Sequence, residues 1–291
     1  RPLAARIGTG ALRFFGGSSA LTIPHASALG NGVAFTFEAW IYPTSIAGTQ
    51  IISTKKDAGG YGYVLSMVSG VLTFETYDAA GSVGETVTSS ALTPLSWYHV
   101  AIVSGDGYTM RLVVDGVQVD SAGTVTSSHG GASSSEDLLV GGDSTGLYGF
   151  RGLIDDVRWW DGLRTVANIA ARKDAELPTT AWTETGETPT IATLCGYWLL
   201  DDGAGTTAAD EVGSTDGTFS ANVGWVAADL TLRGAEVIDL APKAIQVPTF
   251  RQSVGYSVNW TEQTGDDVSS SVSAARKAFL AEERRYTSGT D

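Results

Sequence analysis

Between Phe35 and Trp160 apolar residues recur at every second position, the spacing of pleated strands rather than of helices. In Phe35, Phe37, Ala39 and Ile41 the apolar side chains share one face while Thr36 and Glu38 point the other way, as a half-buried strand requires. Trp97, His99, Ala101 and Val103 alternate with Tyr98, Val100 and Ile102. That segment is apolar on both faces and is expected in the middle of a sandwich. Further strands are predicted over 61–67, 71–78, 110–119 and 150–160. Within 110–119 the Asp115-Gly116 pair predicts a type I′ hairpin, whose two central residues both need positive φ.

The pattern changes after Trp160. Val166, Ile169 and Ala170 are spaced for one apolar face, predicting a short helix within 164–177. A linker rich in Thr, Pro and Glu covers 178–190, followed by a strand-like stretch from Gly196 to Phe219. Residues 231–291 hold strand-like pieces broken by Pro242 and Pro248. From Asp266 a polar helix is expected, with a narrow stripe at Val268, Val272, Ala275 and Phe279, which suits docking or assembly better than a core. The expected organisation is one β domain over 1–230 and an anchoring or assembly extension over 231–291.

Composition narrows the partners. The 291 residues include 36 Gly and 8 Pro with 17% charged, a balance suited to short strands and tight turns. A net charge of −14 argues against binding a phosphate backbone. No run reaches the roughly 18 to 20 apolar residues of a membrane-spanning helix. The chain opens on Arg1 without a methionine or a secretion signal, which reads as a processed product or a fragment. The single cysteine, Cys195, has no internal disulfide partner and reads as a buried strand residue. That favours a bacterial or viral source over an animal extracellular matrix.

The segments FTFEAWIYP (35–43), YGYVLSM (61–67), VLTFETYD (71–78), WYHVAIV (97–103), MRLVVDGVQV (110–119) and FRGLIDDVRWW (150–160), in that order, resemble the laminin G-like, concanavalin A-like jelly roll. The Val157-Arg158-Trp159-Trp160 strand end, followed by Arg164-Thr165 and a short helix, resembles its pentraxin-like branch. The stretch GYWLLDDGAGTTAAD (196–210) resembles a motif that closes the same fold. The resemblance implies an all-β antiparallel sandwich whose members mostly bind ligands. It also implies that Asp155 and Asp156 are candidates to hold a structural calcium ion, with an ion pair from Arg158 as the alternative. At the front the chain departs from the family's Phe-Asp-Gly-x-x-Asp-Tyr pattern, having Phe14-Phe15-Gly16-Gly17-Ser18-Ser19 without either acid.

Catalytic chemistry finds little footing. Retaining glycosidases need two carboxylates about 5 to 5.5 Å apart, and no E-x-D-x-E-like run is present. Glu75 and Asp78 are spaced by three, so alternation sends them to opposite faces, and they read as solvated edge residues. There is no G-x-S-x-G elbow for a nucleophile. Of the three histidines, His99 reads as a core residue bonded to nearby backbone, and His25 and His129 form no metal cluster with Cys195. Asp201, Asp202, Asp210 and Asp216 read as acidic turn residues or alternative oxygen donors. Asn259-Trp260-Thr261 is a short sequon that arises often by chance.

Glycan binding requires exposed aromatic platforms, and Trp160, Tyr148 and Trp182 are the candidates at or near loops. Trp40, Trp97, Trp159 and Trp198 are expected in the core. The sequence thus points to a non-enzymatic structural or adhesion protein of a phage virion or bacterial surface assembly, extracellular or on the virion surface. Its expected partners are bacterial surface polysaccharide, and itself or other surface proteins through 231–291. A purely structural decoration protein is the alternative, and a glycoside hydrolase accessory module is third.

Overall fold

The alternation of the sequence resolves into two facing layers of strands. In the computed structural model the described residues are 5–29, 34–56, 60–78, 80–105, 107–125, 135–180, 182–185, 191–220 and 222–227. The extension expected over 231–291 and His129 lie outside them. One layer runs in the order β17 (Val223–Ala227), β1 (Gly10–Gly17), β12 (Gly149–Asp161), β3 (Ala34–Pro43), β8 (Tyr98–Gly105), β9 (Thr109–Val114) and β10 (Val117–Thr124). The far half of β12 also pairs β14 (Ile191–Trp198), which pairs β13 (Trp182–Thr185). The second layer runs β15 (Thr207–Ala208), β16 (Gly217–Phe219), β2 (Leu21–Ile23), β11 (Leu138–Val140), β4 (Thr49–Lys56), β5 (Gly62–Val68), β6 (Val71–Tyr77) and β7 (Val83–Ala91). Hydrogen bonding is continuous between the layers through the Gly149–Ile51 bridge.

Side-chain parity builds the core. Phe35, Phe37, Ala39 and Ile41 of β3 and Val100 and Ile102 of β8 meet Tyr63, Leu65, Met67, Leu72 and Phe74 of the second layer. The Phe35 and Trp159 rings stack with centroids 4.9 Å apart. Burying so many apolar side chains, each worth roughly 1.5–3 kcal/mol, opposes the chain entropy of a fold with so many long-range pairings. β8 lies between β3 and β9 and is buried on both faces, as its doubly apolar pattern predicts. Asp115 and Gly116 have φ of 52° and 81°, the conformation expected of the β9–β10 turn.

The outer face of the first layer is covered as well. α1 (Val166–Arg172) starts on Thr165, whose side chain accepts from Asn168 N, an N-cap that satisfies a free helix donor. It buries Ile169 against Ala101, Val103 and Val113. All ten residues of β3 are therefore buried, although every second one faces away from the core between the layers. Among the described residues no helix is long and apolar enough to cross a membrane.

One close approach shapes the second layer. Gly62 pairs Lys56 at the start of β5 with φ of 142°, and a Cβ there would collide with the Lys55 carbonyl oxygen and the Lys56 Cα. Gly62→Ala is expected to lower unfolding free energy by about 2 kcal/mol or more, measured by chemical denaturation. An unchanged midpoint would show that the β4–β5 hairpin tolerates a side chain there.

Candidate functional site

Strand β12 carries four of the residues singled out by sequence, and a bulge decides where they point. The β12–β3 register shifts between Asp155 and Arg158, with Asp156 at φ 55°. The extra residue leaves Ile154 and Val157 both in the core between the layers, so Asp155 and Asp156 both turn outward. Strict alternation would have placed them on opposite faces. Trp160 follows in the same strand, fully buried, and is not at a loop. It packs edge-on to half-buried Trp182, centroids 5.7 Å apart, with the Arg164 guanidinium 4.1 Å from its own ring. Trp160 therefore offers no open stacking face, which corrects the expectation from sequence. Its neighbour Trp182 lies in β13 between Trp160 and Arg172.

Beneath α1 these residues join a sealed ionic network. Glu38, His99, Asp156, Arg158 and Arg164 are all without solvent exposure. Arg164 pairs with Glu38 and Glu184 and donates to the Asn168 carbonyl, 3.2 Å. Arg158 grips Asp156 through Nη2, 2.7 Å, and Nε, 3.2 Å. It also donates to the carbonyls of Arg172, 3.1 Å, and Ala175, 2.7 Å, at the end of α1. His99 Nε2 lies 3.3 Å from Glu38 Oε2, so its partner is a carboxylate and not the backbone expected from sequence. Burial works against ionising Glu38, but Arg164 and His99 outweigh it and hold its carboxyl far below the usual range. Burial pushes the Asp156 carboxyl up to about 7, with Arg158 and Tyr197 opposing, and lowers His99.

Asp155 and Asp156 do not fit a calcium ion. Asp155 Oδ2 accepts from the backbone N–H of Arg6, 2.6 Å, and Ile7, 2.8 Å, and Asp156 is occupied by Arg158. A cation would have to displace N–H donors, whereas calcium needs six to eight oxygens. No group of three or more His, Cys, Asp or Glu is placed to hold a metal among the described residues. Burial and the neighbouring Asp156 raise the Asp155 pKa well above the carboxylate range. The acids of the closing motif serve backbone amides. Asp201 accepts from Thr9 and Gly10, and Asp210 from Tyr197, Val212, Gly213 and Thr215.

Tyr148 belongs to a different place, the outer face of the second layer. There a groove of about 1330 Å³ runs across β2, β11, β4, β5 and β6. Its floor is formed by the residues that alternate with the core. Val64 and Ser66 face it between Tyr63, Leu65 and Met67, and Glu75 and Tyr77 face it beyond Leu72 and Phe74. Thr22, Thr54 and Leu139 complete the floor. Tyr148, 43% exposed, stands on the rim. Its loop is turned by Asp143, which accepts from Gly146 N, 3.1 Å, and from the Thr145 hydroxyl, 2.7 Å. The Tyr148 carbonyl accepts from Ile51 N at 2.7 Å. Lys55, buried under the rim, donates to the Glu136 carbonyl at 2.6 Å. Burial brings its pKa down to about 8, with Asp137 and Glu136 pulling the other way.

Glu75 was read from sequence as an edge residue beside Asp78, but β6 lies between β5 and β7 and Glu75 is in the groove floor. Its carboxylate accepts from the Tyr77 hydroxyl at 2.8 Å. Burial and Glu75 together push the Tyr77 pKa up to about 12. Asp78 instead caps its own loop through Ala80 and Ser82, so the two acids form no catalytic pair. The alternation of 62–68 and 71–77 was the signal for the floor, since every outward position there is polar or modest in size.

The profile of the concanavalin A-like lectin/glucanases superfamily matches residues 15–170, more than half of the chain, and the protein belongs to this laminin G-like, concanavalin A-like family. A candidate carbohydrate binding protein from Bacteroides ovatus superposes with a TM-score of 0.57 at 19% identity, over 76% of this chain and 60% of its own. This chain thus spans 60% of that relative's length. A heptameric SAP-like pentraxin from Limulus polyphemus gives a TM-score of 0.43 at 19% identity, over 56% of this chain and 80% of its own. A botulinum neurotoxin type C structure gives 0.40 at 11% identity, over 53% and 39%. Likeness at these identities is one of fold. No curated protein sequence matches the chain.

The ionic network makes stability depend on pH in a way that can be signed. His99 has a lowered folded pKa, so its contribution is present above its usual 6.5 and is lost as pH falls. Asp156 acts oppositely, with a contribution present below 3.8 and lost as pH rises through about 7. Whatever His99→Gln costs at pH 7, its stability relative to wild type is expected to improve between pH 7 and 5, because the variant lacks the acid penalty. A constant gap in urea denaturation across that range would show that His99 is not held neutral. Glu38→Gln is expected to cost about 3 kcal/mol or more, since two buried guanidinium groups lose their shared anion.

Proposed function

We propose that this chain is a non-catalytic glycan-binding module that lays a saccharide along the groove of the second layer. The observation that carries the reading is the exposed Tyr148 standing over a floor of Thr22, Thr54, Ser66, Glu75 and Tyr77. A flat ring stacks on the apolar face of a sugar while hydroxyl and carboxylate groups fix its hydroxyls. Membership of a superfamily of lectins and glucanases agrees with a saccharide ligand. Binding is preferred to cleavage because Glu75 lacks a carboxylate partner on its own strand.

We place the module on the outside of a bacterial surface or phage assembly, as an adhesion or structural component. Its single cysteine fits a fold held without disulfides. Attachment through 231–291, to itself or to other surface proteins, rests on the sequence pattern of that segment. The alternative is a decoration protein without a ligand, favoured by the burial of Trp160, which leaves fewer stacking faces than the sequence suggests.

The test is a glycan array probed with the intact chain, followed by calorimetry on the ligands found. Saturable binding is expected, with and without chelator, and Tyr148→Ala should weaken it about tenfold, which corresponds to about 1.4 kcal/mol. Folded protein that binds no saccharide would establish the decoration role instead.

A further inference from the structure

We infer that the groove selects uncharged glycans and turns anionic ones away, with Glu75 as the residue that sets this preference. The inference rests on the groove being the saccharide site. Its charged lining residues are Glu75, Glu136, Asp137 and Asp143 against Lys56, four acids to one base. The ammonium of Lys56 sits 3.6 Å from the centroid of the Tyr77 ring, so this cation is already committed to an aromatic face. Lys55, the preceding residue, is buried under the rim, where it offsets part of the charge of Asp137 and Glu136. The rim acids are held by donors from their own surroundings: Asp143 as described, and Asp137 by the backbone N–H of His25 at 2.9 Å.

Hydrogen-bond direction points the same way independently of charge. The Tyr77 hydroxyl spends its proton on Glu75 Oε2, and the Thr54 hydroxyl donates to the Tyr63 carbonyl at 2.9 Å. The Tyr77 hydroxyl therefore has only lone pairs left to offer, and the buried Thr54 hydroxyl has no proton to give. The floor is rich in acceptors and suits the O–H donors of a neutral sugar. A uronate or sulfate brings further acceptors and a like charge, which leaves groups on both sides unpaired. Glu75 stands at the centre of this floor on β6, and its replacement by Gln removes the charge while keeping an amide oxygen to accept from Tyr77.

The experiment titrates the intact 291-residue chain and Glu75→Gln against a panel of neutral glucans, mannans, galactans and xylans, and of uronate and sulfated polysaccharides, at low and high salt. Wild type is expected to bind a neutral member at least about tenfold more tightly than its anionic counterpart at low salt, with the gap narrowing as salt screens the repulsion. Glu75→Gln should bring the ratio of neutral to anionic affinity at low salt down about fivefold from the wild-type value. Wild type binding anionic and neutral members equally, or a Glu75→Gln ratio equal to that of wild type, would overturn the selectivity while leaving glycan binding intact. Folded protein that binds nothing would remove the saccharide reading and this inference with it.

Discussion

Glu38 is the anion on which the back of the molecule is organised. It lies fully buried in β3, paired with Arg164 and His99 and 4.0 Å from Arg158. Those two arginines in turn hold the carbonyls of α1 and of the segment that follows it. Desolvating two guanidinium groups and their carboxylates is costly, and only dense mutual pairing offsets it. Apolar residues of similar size would fill the space, but they would not fix the end of a seven-residue helix against a sheet. The bulge at Asp156 belongs to the same constraint, because it delivers the second carboxylate that Arg158 requires.

The two layers differ in what covers their outer faces. The outer face of the first layer is covered over β3, β8 and the far half of β12 by α1, Trp160, Tyr197 and the ionic network, while Phe15 of β1 stays exposed. The outer face of the second layer is left uncovered by any helix among the described residues, and its outward positions carry hydroxyls and a carboxylate. One outer face carries a helix, and the other bears an open groove lined by both polar and apolar side chains, which is what the proposed saccharide site requires. The acidic balance of that surface follows the −14 charge of the whole chain, but the orientation of the Tyr77 and Thr54 hydroxyls is local.

Much of the fold was legible because it rests on period-two alternation and turn chemistry. β3, β5, β6, β8 and the Asp115-Gly116 hairpin all follow from side-chain spacing, and the helix follows from Val166 and Ile169 after the Thr165 cap. The candidate site was less legible, for a physical reason at each residue. Trp160 and Asp156 lie at or beyond a bulge, and one inserted residue reverses every later facing, which spacing alone does not reveal. His99 looked like a core histidine, yet its carboxylate partner is Glu38, 61 positions away by the numbering and adjacent only through the β3–β8 pairing. Glu75 looked peripheral because strand order, not sequence order, decides which strands are edges. The exposure of Tyr148 was legible, because the sequence places it in a loop.

The central claim is that the groove over β4, β5 and β6 is where a saccharide lies. Backbone amide shifts, recorded by NMR on the intact chain while neutral oligosaccharides are added, test it most directly. The account predicts shifts clustered at Thr54, Ser66, Glu75, Tyr77 and Tyr148, with the amides around Trp160 and Trp182 unmoved. Shifts centred on β13 and α1 instead, with the groove silent, would contradict it.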